Sequence, residues 1–265
     1  MQPAVAAAVN EDRPSLAGRN RKPLLDMRKD HRPYIVKKAW LKFQKFYASH
    51  FLKPQLDYLG RGFAFMRPWH VELFGGPIRI GKYATLIATS DKKVRFSVWP
   101  ETPGQGSITI GDYGLICPGV RLSSAIGITL EDNCMLANGV YITDADWHGV
   151  YNRVSFGRAE RVHLKKNVWI GDSAIVCKGV TIGENSIIGA GAIVVHSIPD
   201  NCIAAGNPAV VVKQLDPGES FTTRAQWYGD ATRLAQQFIQ WEQAVLKGNT
   251  IFGWLKHLLF PAQGD

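Results

Sequence analysis

The chain has 265 residues, 46% of them hydrophobic, and a formal net charge of +9, which suits one elongated domain with appendages. No uncharged apolar run reaches ~18 residues, which excludes a membrane-spanning helix. Residues 1 to 53 hold twelve Lys/Arg against four Asp/Glu, so the excess charge sits at one end and the remainder is nearly neutral.

In chain order, the opening MQPAVAAAVNEDRPS has neither a basic leader nor a sufficiently apolar stretch. No secretory signal is expected, and the location is read as cytoplasmic. Residues 1–33 are predicted to be a disordered basic arm. Residues 34–70 are predicted to be an amphipathic helix and a connector. From Tyr34 to Phe51, Val36, Trp40, Phe43 and Tyr47 share one stripe, with Lys37, Lys38, Lys42 and Lys45 largely off it. Such a stripe either docks on the protein or lies on an anionic leaflet, so residues 34–53 are a candidate for peripheral contact with the inner membrane surface. Docking is the reading preferred. No nucleic-acid recognition motif accompanies the charge, and no nucleic-acid partner is expected.

Residues 71–215 carry the organising pattern, a repeat of six. Leu164, Ile170, Val176, Ile182, Ile188 and Val194 share one phase, and the fifth place of each block holds Val168, Ala174, Val180, Ser186, Ala192 and Ile198. Neither a helix nor plain alternation produces this period. A coil of three short sides does, with phase residues stacked inside a triangular prism, which is a parallel β-helix. The same phase places Leu130, Leu136 and Ile142 in an earlier turn, Ile110, Ile116 and Leu122 before that, and Phe74, Ile80 and Leu86 first of all. At least five turns are predicted.

A solenoid accepts insertions only where they loop out from corners. The register is broken around WPETPGQG, by two residues between Leu122 and Leu130, and by a loop at 143–163. Long loops on rigid repeats are where function tends to be placed. Cys117, Cys134, Cys177 and Cys202 form no CxxC and read as reduced, packed thiols. Residues 216–265 are predicted to be a helical extension. Asp230 caps a helix with the stripe Leu234, Phe238, Trp241 and Val245, ending at Gly248, and Ile251 to Phe260 forms a second apolar segment.

The block NVWIGDSAIVCKGVTIGENSIIGAGAIVVHSIPDNCIAAGNPAVVVKQL resembles the last coils of the hexapeptide-repeat acyltransferases, in particular the maltose and galactoside O-acetyltransferase group. The resemblance covers about Ile108 to Leu215. It implies a left-handed β-helix with an all-β core, assembled as a homotrimer, that transfers an acyl group from acetyl-CoA to a hydroxyl in a cleft between subunits. Left-handed crossovers run against the usual rule for parallel strands.

The resemblance also assigns residues. The family's catalytic histidine follows the strand before the loop in a T-x-x-H type segment, here Thr143-Asp144-Ala145-Asp146-Trp147-His148, one residue longer. His148 is therefore the candidate general base, since an imidazole can take the proton of an attacking alcohol. Asp144 or Asp146 would hold its other nitrogen. Ala137, Gly171, Asp172, Ala190 and Gly191 match the lining of the pantetheine slot, Trp169 matches the VWIG tryptophan, and Lys213 matches a phosphate-meeting cation. Two departures stand out. Val195-His196 replaces a frequent Thr-Lys, and Cys117 replaces the asparagine that holds the sugar in galactoside-type members, so the acceptor is read as a saccharide or other small hydroxylated molecule. Two other classes share the prism. A gamma-class carbonic anhydrase needs three convergent imidazoles, and the spacing of His148, His163 and His196 does not supply them, so no metal is expected. A non-catalytic binding scaffold would have lost the histidine or the slot.

Overall fold

The computed structural model describes residues 30–261. Most of the predicted basic arm, residues 1–29, lies outside the described residues. The centre of the molecule is a three-sided prism. The first sheet has six strands, Tyr58–Leu59, Ile78–Ile80, Ile108–Ile110, Ile128–Leu130, Val162–Leu164 and Thr181–Ile182. A second face starts with Ala64–Met66, Thr85–Ile87, Leu115–Ile116 and Met135–Leu136 and continues through Trp169–Ile170 and Ile187–Ile188. The third holds Val71–Phe74, Val94–Val98, Arg121–Ser124, Tyr141–Thr143, Ile175–Val176 and Ile193–Val194. Strands within each face pair in parallel with the coil below and above, as in Leu122 with Ile142 and Ile142 with Val176.

The six-residue step produces this shape through two of its places. The phase residues Leu164 to Val194 and the fifth-place residues Val168 to Ile198 are all buried, so each coil seals its interior against its neighbours. Ser186 is the one polar member, and its hydroxyl is satisfied by the Pro199 carbonyl at 2.7 Å and the Cys202 N–H at 3.2 Å. The fourth place turns the corner in left-handed backbone: Asn167, Ser173, Gly179, Asn185 and Gly191 all have φ between 57° and 73°. Asparagine and glycine tolerate that region best, whereas Ser173, like Tyr83 and Tyr113 at the same place of earlier coils, is held in it by the coil.

The first coil departs from the expected register. Phe74 is 52% exposed and stacks on Trp99, so it faces outward. Leu73 takes the inward place, paired with Phe96, which pairs in turn with Leu122. The Gly75–Gly76 turn lengthens the step to Ile80 by one, which makes Phe74 look in phase along the chain. Phe96 is also the missing inward residue between Leu86 and Ile110, hidden because extra residues precede its strand at Thr89–Lys92 and follow it at 99–107. The prism starts at Tyr58 rather than at residue 71, since the segment LDYLGRGFAFM forms two further sides, where Leu59 and Phe65, six apart, pair with Ile80 and Leu86. At the other end, Cys202–Gly206 and Ala209–Gln214 close the second face as an antiparallel hairpin.

Helices cover one end and one flank. Helix α1, Tyr34–Tyr47, docks its aromatic stripe on Trp69, which lies 5.1 Å from Trp40 and 5.8 Å from Tyr47. The buried Gln44 side chain accepts from the Arg67 N–H at 2.6 Å. The short helix α2, Arg224–Trp227, is fixed to the prism by Arg224, which donates to the Tyr113 carbonyl at 2.6 Å and to Thr85 Oγ1 at 3.0 Å. Tyr228 beside it closes a column with Tyr83 and Tyr113. Helix α3, Ala231–Val245, is capped by Asp230 accepting from Arg233 N–H, and helix α4, Ile251–Leu259, is capped by Thr250. The α3–α4 junction meets the start of α1 through Asn249, whose amide donates to the carbonyls of Asp30 and Arg32.

Candidate active site

Two corners of the prism carry the predicted site residues, and they are different corners. Where the chain leaves the second face, Cys117, Ala137, Gly171, Gly189 and Ala205 stack in a column, each of the first four donating its N–H to the coil above. Next along the turn come Asn138, Asp172 and Ala190, then Gly139, Ser173 and Gly191. This corner brings together Ala137, Gly171, Asp172, Ala190 and Gly191. Ala190 and Gly191 are exposed, and a Cβ on Gly191 would meet nothing within 4 Å, so the outer strip has room for a narrow chain. Gly171 is glycine for another reason: its Cβ would lie 2.6 Å from Ala190 N, so the next coil requires it. Ser173 and Asn138 donate to Asp172 and, with a smaller contribution from the Lys92 charge, hold its carboxyl below the usual carboxylate range. Burial pushes the Cys117 thiol upward from its ordinary value.

Trp169 stands on the outer side of the second face, in a row with Ile187 and Ile203 through their pairings. Lys213 pairs with Ile203 at the top of that face and is exposed. Both therefore lie beside the small-residue corner, toward the last coils.

His148 springs from the opposite end of the third face. The loop after Thr143 returns at Val162, and its base is stiff: Ala145 bridges Ala159, Asp146 N–H donates to Arg158 O at 2.9 Å and Glu160 N–H to Asp144 O at 2.8 Å. Gly157 lets the two arms approach, since a Cβ there would sit 2.5 Å from the His148 carbonyl. Trp147 adopts left-handed backbone at φ 51° and donates its indole N–H to Thr143 Oγ1 at 3.0 Å. The next side chain is His148, which is exposed; its ring forms no hydrogen bond among the described residues. Gly157, Trp147 and Thr143 hold this geometry; Thr143 opens the T-x-x-H type segment, while Gly157 and Trp147 carry no signal of their role in the sequence, because they act through one loop's own contacts.

The two aspartates do different work from that expected. Asp144 is fully buried and accepts from Ala125 N–H at 2.6 Å, Ile126 N–H at 2.9 Å, Gly127 N–H at 2.6 Å and Ser124 Oγ at 2.8 Å. Its carboxylate holds together the two-residue insertion between Leu122 and Leu130, and orienting His148 is not its role. Asp146 accepts from Lys178 Nζ at 2.7 Å, which ties the loop to the coil above. Among the described residues, no group of three His, Cys, Asp or Glu is placed to hold a metal. His163 faces another side and pairs with Glu131 at 2.8 Å.

Residues 161–196 match the family described as bacterial transferase hexapeptide (six repeats), and residues 107–144 match the hexapeptide repeat of succinyl-transferase. The galactoside O-acetyltransferase of Escherichia coli strain K12 is 31% identical over 147 residues, which covers 53% of this chain and 72% of that one. The chain belongs to the hexapeptide-repeat acetyltransferase family. Family membership makes the coil a left-handed parallel β-helix. A galactoside O-acetyltransferase from Lactococcus lactis is 43% identical over 60 residues, 23% of this chain and 29% of that one. A Schizosaccharomyces pombe relative is 40% identical over 93 residues, and the matched stretch spans 44% of its length, so the chain covers less than half of these two. Among solved structures, a variant of the N-acyltransferase AntD from Bacillus cereus, in complex with dTDP-4-amino-4,6-dideoxyglucose and coenzyme A, shares the fold at 20% identity and a TM-score of 0.53, covering 72% of this chain and 95% of that one.

The different settings of the aspartates separate stability from turnover. Asp144→Ala leaves three N–H groups, two of them buried, without their acceptor and is expected to cost about 3–5 kcal/mol, the scale of two or more charge-assisted bonds. Asp146→Ala removes an exposed ion pair and is expected to cost well under ~1 kcal/mol. Thermal unfolding of both variants measures this. Equal, small losses would show that Asp144 does not hold the corner.

Proposed function

We propose that the protein transfers an acetyl group from acetyl-CoA to a hydroxyl of a saccharide or similar small acceptor, as a homotrimer with His148 as general base. The observation that carries this reading is the separation of the two site halves. His148 follows Thr143, while the small-residue column contains Ala137, one whole side of the triangle earlier, or up to about 20 Å of extended chain. A general base must come within roughly 3 Å of the proton it takes. One prism alone does not bring its own histidine to its own slot, and closed threefold symmetry with parallel axes supplies the missing half. The tip of the loop supports this assembly, since Tyr151 and Val154 are 99% and 95% exposed in the single chain. Apolar side chains held out on a stiff loop are suited to a neighbouring subunit.

In that cleft the His148 ring takes the proton from the acceptor hydroxyl as its oxygen attacks the thioester carbonyl carbon. The C–S bond then breaks, the acetyl ester forms, and the departing thiolate receives the proton. The free ring nitrogens of His148, exposed at the loop, can make these transfers without first breaking an internal hydrogen bond. Ala190 and Gly191 leave space for the pantetheine arm, and Lys213 lies at the end suited to phosphates.

We further infer a cytoplasmic location with peripheral contact at a membrane surface through residues 34–53. The stripe of Trp40, Phe43 and Tyr47 is committed largely to Trp69, so the face available is its flank, where Ile35, Phe46 and Phe51 are exposed among Lys38, Lys42 and Lys45.

Two measurements test these readings. His148→Ala is expected to keep its fold and bind CoA, yet lose roughly 100-fold or more in release of free thiol from acetyl-CoA with saccharide acceptors; near-normal turnover would remove His148 from the mechanism. In liposome flotation, the full chain is expected to rise with anionic vesicles at low salt and detach as salt increases, while the Phe46→Ser, Phe51→Ser double variant stays behind. Failure of the unaltered chain to float would end the membrane proposal.

A further inference from the structure

Below the small-residue corner, the same edge of the prism opens into a groove of about 310 Å³ lined by Ser90, Asp91, Lys92, Lys93, Arg95, Gly119, Arg121 and Gly139. That volume lies at the small end of ligand clefts. Four cations face it against one lining carboxylate. Arg95 and Arg121 are register partners on adjacent parallel strands of the third face, both exposed. Like charges directly opposite each other across strands, roughly 4.8 Å apart, disfavour the fold. Glu72 offsets part of this, pairing at 2.6 Å with both Lys93 and Arg95. Arg121 and Lys92 form no ion pair among the described residues. Arg121 lies over the Tyr141 ring at 4.3 Å, which fixes the direction of its guanidinium and leaves its donors available. Two cations without an ion pair among the described residues, one of them held in place by an aromatic ring, mark a site for an anion.

The groove is continuous with the proposed site. Gly139 lines it and belongs to the same corner as Ala137, Asp172 and Gly191. Lys92, at its mouth, contributes to lowering the pKa of Asp172. Gly119 N–H also donates to the Lys92 carbonyl at 3.1 Å, so this segment is fastened to the corner. The level of the partner's histidine follows from symmetry. Rotation about an axis parallel to the prism moves no coil up or down, and the His148 loop leaves the coil that contains Leu136, Gly139 and Ile142. The neighbour's loop therefore arrives at the height of Gly139, between the groove below and the slot above.

We propose that this groove binds the anionic group of the acceptor, a phosphate or carboxylate on the saccharide, and so selects charged over neutral acceptors. This rests on the acetyltransferase reading for which corner carries the slot, and it deepens that reading by naming the acceptor's chemistry. Lys92 and Arg121 would hold the anion as ion pairs, with Lys93 and Arg95 adding charge.

The test uses three compounds built on one hexose, glucose, glucuronate and glucose 1-phosphate, titrated calorimetrically into the full-length protein at low salt, with CoA titrated separately. The two anions are expected to bind and glucose not, and Lys92→Gln with Arg121→Gln is expected to weaken the anions at least 10-fold while the CoA Kd stays within twofold. Binding is read without turnover, so a loss of the acetyltransferase reading, seen as no acetyl transfer to any acceptor, is distinct from a loss of this one. Equal binding of glucose and the anions, or no binding of either anion, overturns the proposal. So does a double variant that loses CoA instead, which would assign the groove to the coenzyme's phosphates.

Discussion

Every other feature of this protein depends on the vertical stacking of its coils. Each coil gives its backbone N–H groups to the carbonyls of the next and buries one phase residue and one compact residue per side, so nothing inside the prism can change without disturbing two neighbours. Freedom remains only at the corners and on the outer faces. That restriction explains Gly171, whose glycine serves the coil above it, and it explains why long insertions leave the prism only at its edges.

The same restriction decides where chemistry can sit. A corner of small residues runs up one edge, from the groove at Gly119 past Ala137 and Asp172 to Ala190. The loop carrying His148 leaves another edge, stiffened by its own bridge and by the Lys178–Asp146 pair. Asp144 shows how closely structural and chemical demands adjoin. It stands four residues before His148, yet its carboxylate is consumed by the N–H groups of residues 125–127. A long loop on a solenoid needs such an anchor, because the loop's departure interrupts the coil that would otherwise satisfy those donors.

Much of this was legible in the sequence, and the limits follow from physics. The six-residue phase from Ile108 onward places inward residues correctly because a repeated packing demand leaves a repeated trace. The first coils fail that rule: Phe74 lies in phase along the chain but outward in space, and Phe96 fills a side that insertions conceal. The Asp230 cap and the helix α3 after it were readable because helix signals are local, although Phe238, Trp241 and Val245 of its apolar stripe are exposed in the single chain. Arg224 gripping Tyr113 and Thr85 was not, since it joins residues more than a hundred positions apart. At the candidate site, the family resemblance pointed to His148 and the corner residues as candidates, while the true partners of Asp144 and the basic groove around Arg121 appear only when strands are set side by side.

Subunit mixing tests most directly the proposal that one subunit's histidine works against its neighbour's slot. His148→Ala lacks the base, and Ala190→Trp fills the slot; each alone is expected to be inactive. Random mixed trimers of the two place an intact histidine against an intact slot at about a quarter of their interfaces under closed threefold symmetry. The mixture is expected to regain about a quarter of the unaltered acetyl-transfer rate. Mixed trimers that stay as inactive as their parents would contradict it.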